Sequence, residues 1–396
     1  MSEEGWFKAA KALEYAASIA RPRLVGTLEC DRVADDLAGR LEQWGYHVDR
    51  EPFTFSTALN ALLALVLSIN GLGLIAVLLI QTVSPDTASV GALSLIGVVA
   101  ATFLIGRSIS DYAVAAQNVS LATWRERIAG RLGKRYAAMN LIATLPSDEQ
   151  PHHTLYLVAH YDSKSQRWPL VIRIALFSML IPGTLIVIAA TLFDQPSTFV
   201  TLSGFVAIVA SGLLVLLGTG NASPGAIDNA SGVGLVLHLA EILAARSAWH
   251  ERLRVIVLLT SAEEVGLMGA TAYVKRHAAQ LEQEQPLALN FDGIGIDGQL
   301  QWVGGSASKL AQLIQATAQA NAIPIGRFRF IGALFDHIPF AQRGLDAVSL
   351  IAVGRASRSV HTRHDTLERL HVRGFEQAGL VALQIIERLA TSEVQI

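Results

Sequence analysis

The 396-residue chain has a single cysteine, Cys30, and little charge of either sign. One thiol excludes an intrachain disulfide and leaves no soft thiolate set for a metal, and it suits a reducing compartment. Asp, Glu, Lys and Arg make up only 16% of the residues, against about 25% in an ordinary soluble protein. Part of the chain is therefore expected to lie outside water. The 31 basic and 33 acidic residues give a formal net charge of −2, and with no basic surplus a nucleic-acid partner is excluded. A signal-peptide pattern is also missing at the start, because Met1–Arg50 reads as polar amphipathic helix.

What the chain has instead is apolar surface. Hydrophobic residues reach 52% and the mean hydropathy is +0.41. The excess is concentrated in Ala58–Ile80, Val90–Gly106, Ile174–Phe193 and Phe199–Gly218, which carry essentially no charge. Runs of about 17–25 apolar residues match a bilayer core of about 30 Å. Gln81–Ser89, with Pro85, separates the first two, and Asp194-Gln195-Pro196-Ser197-Thr198 separates the last two. The reading is two transmembrane helical hairpins, over residues 57–106 and 168–218, in contact with a lipid bilayer. Buried helices of a soluble fold would explain one such run more easily than four paired by short polar turns. Small residues such as Gly71, Gly73, Gly204 and Gly212 suit close helix contact in lipid. Asn70 and Pro182, both mid-span, read as packing or kink features, and no intramembrane charge pair points to transport.

Neither turn carries Lys or Arg, whereas Arg50, Arg107, Arg125, Arg127, Lys164, Arg167 and Arg173 flank the other ends. The positive-inside rule then puts the remainder of the chain in the cytoplasm. An even number of spans returns the chain to one side each time. Residues 1–56, 107–167 and 219–396 can therefore assemble into one discontinuous domain.

Within those segments, helical and extended patterns alternate. Arg32–Trp44, Gly232–Ala245, Gly269–Glu282 and Val372–Leu389 read as helices; His47–Phe55, Met139–Leu145, Thr154–Ala159, Leu253–Leu259, Leu287–Phe291 and Ala347–Ile351 read as strands. This is the pattern of an α/β fold, a mostly parallel central sheet covered on both faces in a three-layer sandwich. Ligands collect at the carboxyl ends of such strands. There the sequence has His160-Tyr161-Asp162-Ser163, Thr260-Ser261-Ala262-Glu263-Glu264, Asp292-Gly293, and a loop bearing His361, with the turn-rich Pro224–Gly232 segment between them. A lone His or Asp at a strand end is usually a cap or a surface residue. Five candidate positions on one sheet, His160, Asp228, Glu264, Asp292 and His361, offer a nitrogen and oxygen set suited to Zn²⁺, with Mn²⁺ or Co²⁺ as substitutes.

The wording and order of these segments resemble peptidase family M28, the cocatalytic zinc aminopeptidases and their relatives. The matching phrases are His160-Tyr161-Asp162-Ser163, Gly225–Gly232, Ser261–Gly266, Asp292-Gly293 and His361–Thr366, with Val25-Gly26-Thr27 and Asp336–Phe340 in support. The resemblance implies a zinc exopeptidase-like fold and two zinc ions. His160, Asp228 and Asp292 would hold one and Asp228, Glu264 and His361 the other, with Asp228 bridging. It implies Glu263 as general base, a peptide substrate, and a cis peptide between Asp228 and Asn229. Asp162, two residues beyond His160, would accept the free ring N–H and fix the tautomer. Val360 stands where some members carry an aromatic, and His364 sits close enough to His361 to compete as a ligand. Two other readings stay open: a single-zinc glutaminyl cyclase, suggested by His160–Lys164 and Asp336–Phe340, and a non-catalytic membrane scaffold. The second hairpin falls between His160 and Asp228, so substrates are expected to be peptides near the membrane.

Overall fold

The computed structural model describes residues 7–83, 135–146, 153–193, 195, 197–249, 252–305, 307–329 and 333–391, with 91, 96, 97, 99 and 100 also described. The expected span Val90–Gly106 lies outside these residues apart from those five positions, as do Arg107, Arg125 and Arg127. The chain divides into two compact units, Met1–Phe55 with Tyr136–Ser165 and Gly220–Ile396, and Ser56–Arg135 with Gln166–Thr219.

In the first unit, helices α1 (Ala9–Ile19) and α2 (Leu28–Gln43) precede β1 (His47–Ser56). Thr27 caps α2 by accepting the Cys30 N–H, and Glu29 and Asp31 occupy its positive first turn. There follow β2 (Arg135–Thr144) and β3 (His153–His160). The second unit contributes α3 (Ala58–Val83), α4 (Leu170–Leu192) and α5 (Thr198–Val215). The first then resumes with α6 (Ser231–Ala244), β4 (Leu253–Thr260), α7 (Met268–Arg276), α8 (Ala278–Glu284), β5 (Leu287–Asp292) and β6 (Gln299–Gly304). The last elements are α9 (Lys309–Ala320), β7 (Ile325–Arg327), α10 (His337–Gln342), β8 (Ala347–Val353) and α11 (Val372–Thr391). The single helix expected over Gly269–Glu282 is two helices, broken at His277.

Eight strands form one sheet in the order β1-β2-β4-β3-β5-β8-β6-β7. Its centre, β4-β3-β5-β8, is parallel throughout, while β2 on β4 and β6 on β8 are antiparallel. Side chains alternate across the sheet. Leu155, Leu157 and Ala159 join Val257, Leu259, Leu289 and Phe291 on one face, under α1, α2, α6, α9 and α11. Tyr156, Val158, Ile256, Leu258 and Ala288 face the opposite way, toward Tyr273, Leu281 and Phe340 of α7, α8 and α10. Both faces are thus covered, which is why these strands read as continuous apolar runs. Truncating a fully buried residue such as Leu157 to Ala would cost about 2–5 kcal/mol.

The second unit has an inverted surface. Its outward side chains are large and apolar, among them Leu72, Leu79, Phe199 and Phe205, each at least 60% exposed. Its interior holds the polar ones. Asn70 donates to the Thr184 hydroxyl (3.3 Å), Gln81 to the Thr191 hydroxyl (3.1 Å), and Ser211 to the Leu67 carbonyl (2.6 Å). Asn70 is accordingly a packing residue. Gly183 of α4 lies against α5 so closely that a Cβ there would sit 2.8 Å from the Ser203 carbonyl oxygen.

Four helices among the described residues are long and apolar enough to cross a membrane: Ala61–Val83, Leu170–Leu192, Thr198–Val215 and Ala226–Ala244. The last overlaps α6, whose side chains are almost all enclosed in the core of the sheet unit. We read it as a core helix, since its apolar surface is already covered by protein.

Candidate metal centre

The parallel centre of the sheet delivers side chains to one edge. His160 closes β3 and pairs in register with Thr260 at the end of β4; Asp292 closes β5 beside Ile351 of β8. Beyond Thr260, Ala262 adopts a left-handed backbone (φ 58°) and leads into a 3-10 turn at Glu263–Val265. With about three residues per turn, successive side chains diverge by about 120°. Glu263 therefore faces His160, with Oε2 3.8 Å from Nε2, whereas Glu264 faces His361, with Oε2 2.9 Å from Nε2. His361 itself has φ 62°, a conformation that costs of order 1 kcal/mol or more in a non-glycine residue.

Asp228 sits between the two histidines. Its Oδ1 is 3.0 Å from His160 Nε2 and its Oδ2 is 3.0 Å from His361 Nε2. Asp292 Oδ2 lies 3.7 Å from His160 Nε2. Two three-ligand groups result, His160 with Asp228 and Asp292, and Asp228 with Glu264 and His361, each with its ligand atoms within 4.8 Å of one another. The peptide Asp228–Asn229 is cis. Asn229 ties this loop to β5: its Nδ2 donates to the Phe291 carbonyl (2.8 Å), and its Oδ1 accepts from Gly232 N (2.9 Å) and Gly293 N (3.2 Å). A Cβ at Gly232 would lie 2.4 Å from both Asn229 Oδ1 and the Phe291 oxygen, so only glycine fits there.

The donor set fits divalent zinc. His160 is fully buried, yet its Nε2 has no hydrogen-bond partner although carboxylate oxygens surround it. A buried polar atom left unpaired normally costs about 1–3 kcal/mol; as a ligand lone pair aimed at a cation it has a partner. Oxygen and imidazole donors, with no thiolate, suit Zn²⁺ in a site of this kind.

Electrostatics mark the same atoms. Burial pushes the Glu263 carboxyl well above the usual range, against the pull of His160 and with help from Glu264 and Asp292. Asp292 is raised likewise, by burial and then by Asp228. Burial also opposes ionisation of Asp228, but the two histidine rings, each 3.0 Å from one of its oxygens, outweigh it and hold Asp228 well below the usual range. The His160 imidazole, penalised by burial, is nonetheless raised by Glu263 and its other acidic neighbours.

Asp162 differs from expectation in detail. Its carboxylate Oδ1 is 3.5 Å from His160 Nδ1, and its backbone oxygen is nearer at 3.2 Å. The same Oδ1 accepts the Glu263 N–H at 3.3 Å, so Asp162 links the His160 strand end to the Glu263 turn. His364 is exposed and its Nε2 accepts from Arg363 Nε; it belongs to neither ligand group.

Four residues given no role from the sequence support the site. Lys164, counted there as a flanking charge, donates to Glu264 twice, with Nζ 2.7 Å from its backbone oxygen and 3.0 Å from Oε2. Asp365 accepts from Ile227 N (2.6 Å) and Asp228 N (3.3 Å), and burial pushes its carboxyl up to about 7. Asp336 is buried, bonded to the Thr260 hydroxyl, with its other oxygen unpartnered; burial pushes it up to about 6. Arg23, fully buried, donates to the carbonyls of Tyr161 (2.6 Å), Pro224 (2.5 Å) and Gly225 (2.9 Å), joining the segments that follow His160 and precede Asp228. Its one sequence signal was its place just before Val25-Gly26-Thr27.

Known proteins resemble this chain in sequence and in fold. Aminopeptidase YwaD of Bacillus subtilis (strain 168) is 28% identical over 183 residues, 42% of this chain and 38% of the relative's length. The chain thus spans well under half of that relative. The solved structure of BSAP, a zinc aminopeptidase from Bacillus subtilis, has a TM-score of 0.59 at 14% identity, covering 100% of this chain and 98% of that one. A glutaminyl cyclase from Porphyromonas gingivalis matches with a TM-score of 0.55 at 14% identity, covering 96% and 98%. At such identities these two show a common fold. The model of peptidase family M28 matches residues 140–386, from β2 through α11 and across every ligand above, and the chain belongs to that family.

Proposed function

We propose that the chain is a membrane-embedded metallopeptidase that binds two zinc ions and removes N-terminal residues from peptides at the cytoplasmic membrane face. The observation that carries this reading is the sharing of Asp228 between two three-ligand groups, with Glu263 beside them. Zinc bound there supplies Lewis acidity, which lowers the pKa of water toward neutrality and polarises a carbonyl.

The protein's own groups do the rest. Glu263, whose Oε2 lies 3.8 Å from His160 Nε2, accepts a proton from the attacking water and returns it to the departing amine as the C–N bond breaks. The carboxyl oxygens of Glu263 and Asp292 together can accept hydrogen bonds from the free ammonium of a substrate. Asp162 and Lys164 act as positioning residues for Glu263 and Glu264. The exposed apolar faces of α3, α4 and α5 support a bilayer environment with paired helical hairpins, and the charge asymmetry of the flanks supports the cytoplasmic orientation. In sequence, α4 and α5 fall between His160 and Asp228, which favours peptides held near the membrane as substrates.

A second reading, glutaminyl cyclase chemistry, is favoured by the buried Asp336 and by the shared fold. The purified zinc-loaded chain should release the first residue from an unblocked peptide and leave the N-acetylated twin intact. Cleavage of both would refute aminopeptidase action, and conversion of glutamine-initiated peptides to pyroglutamyl products would favour the cyclase.

A further inference from the structure

The loop that supplies His361 has an unusual charge. Between Gly354 and Asp365 the ionised residues are Arg355, Arg358 and Arg363, with Asp365 the one acid. Asp365 is buried and its carboxylate is committed to the backbone of Ile227 and Asp228. The chain as a whole is slightly acidic, at −2, so this short stretch runs against its average. All three arginines are exposed, and none forms an ion pair among the described residues. Among the described residues Arg363 donates only to the neighbouring His364 ring.

The loop is fastened to the site at both ends. His361 Nε2 lies 3.0 Å from Asp228 Oδ2, and Asp365 accepts the Asp228 N–H at 3.3 Å. Turn hydrogen bonds, Thr362 N to Ser359 O (3.0 Å) and Asp365 N to Thr362 O (3.1 Å), hold the segment between them. Arg363, midway between two anchors on one residue, cannot be more than about 8 Å from either along the Cα trace. Arg358 lies three residues before His361, at the end of a 3-10 turn over Arg355–Ser359. An arginine side chain is long, and its planar guanidinium fork matches a carboxylate bidentately, which suits it to read one on a peptide bound at the metals.

We propose that Arg363 and Arg358, with Arg355 behind them, form a cationic rim that selects peptides carrying a carboxylate close to the scissile bond. This deepens the peptidase reading and rests on it. The carboxylate is either an acidic side chain or the C-terminus of a short peptide. Rim charges act mainly on encounter and are screened by salt, so the preference should appear in kcat/KM and fade as ionic strength rises.

The test uses the full zinc-loaded chain and tripeptides sharing one neutral first residue, with Glu or Gln second and a free or amidated C-terminus. At low salt each carboxylate should raise kcat/KM about threefold to tenfold, and at 1 M NaCl the ratios should fall toward one. Substituting both arginines (R358Q with R363Q) should lower the Glu-to-Gln ratio; the salt series on the unaltered chain tests the same point if that variant does not fold. A response to the Glu side chain alone, or to the free C-terminus alone, identifies the carboxylate read. Equal kcat/KM across the series at low salt overturns the inference while leaving the peptidase reading intact. No turnover of any peptide overturns both. Charge-independent turnover together with arginine-dependent binding to anionic lipid vesicles assigns the rim to the membrane surface and overturns the inference.

Discussion

Replacing Arg23 with methionine keeps most of the side chain's bulk and removes a guanidinium that donates to four carbonyl oxygens, those of Arg21, Tyr161, Pro224 and Gly225. The bonds to Tyr161 and Gly225 are fully buried. Two orphaned buried acceptors cost about 1–3 kcal/mol each, or roughly 2–6 kcal/mol together. Part is recovered, because burial already disfavours the charge and lowers the Arg23 pKa. A net loss of about 2–4 kcal/mol follows, equivalent to a fall in Tm of about 5–15 °C for a unit of this size. The two tethered segments also set where His160 and Asp228 meet, so zinc affinity should fall about 10–100-fold, as it does when outer partners of ligands are removed. Thermal unfolding of the detergent-purified variant, with zinc affinity measured against a competing chelator, checks both numbers. A variant within 2 °C of the parent and with unchanged affinity would refute the reasoning.

Glu263→Gln should lower kcat about 10²–10⁴-fold with the zinc content unchanged, as read by peptide turnover and metal analysis; retained activity would exclude Glu263 as the base. Lys164→Met leaves Glu264 without its cation, and zinc affinity should drop at least tenfold in the same competition assay. His337 is held down to about 3 by burial, so it is neutral in the fold where the unfolded imidazole, near 6.5, gains a proton. Its contribution is complete above pH 6.5 and is lost as the pH falls toward 3, by up to about 4–5 kcal/mol. His337→Gln should therefore flatten the acid limb of a Tm-against-pH curve, and an unchanged limb would count against it.

The parallel centre of the sheet was legible because β3, β4 and β5 are buried on both faces and so are largely apolar runs, with Arg254 and Asn290 as exceptions, that stop at a polar residue. Those stops single out His160, Glu264 and Asp292, and the Gly-rich turn before α6 points to Asp228. The edge strands were not legible. β6 alternates with Gln299 and Gln301 and β7 has three residues, too little pattern to separate from loop. Arg23 was invisible for a different reason: apart from the Arg21 carbonyl, the partners of its guanidinium lie 138–202 residues away in sequence, so nothing local indicates that a guanidinium will be buried there. Lys164 reads equally well as a membrane-flanking charge until Glu264 is seen beside it. His277 interrupts a stretch that the sequence reads as one helix, and its ring pairs with Glu51 of β1, a partner far away in sequence.

Asp228, common to both ligand groups, is placed to bridge two ions. Zinc per chain, measured on the purified full-length protein after saturation and removal of loosely bound metal, tests it most directly. Two ions per chain are expected, and for Asp228→Ala the loss of both sites. One tightly bound ion in the unaltered chain, or two retained without Asp228, would contradict it.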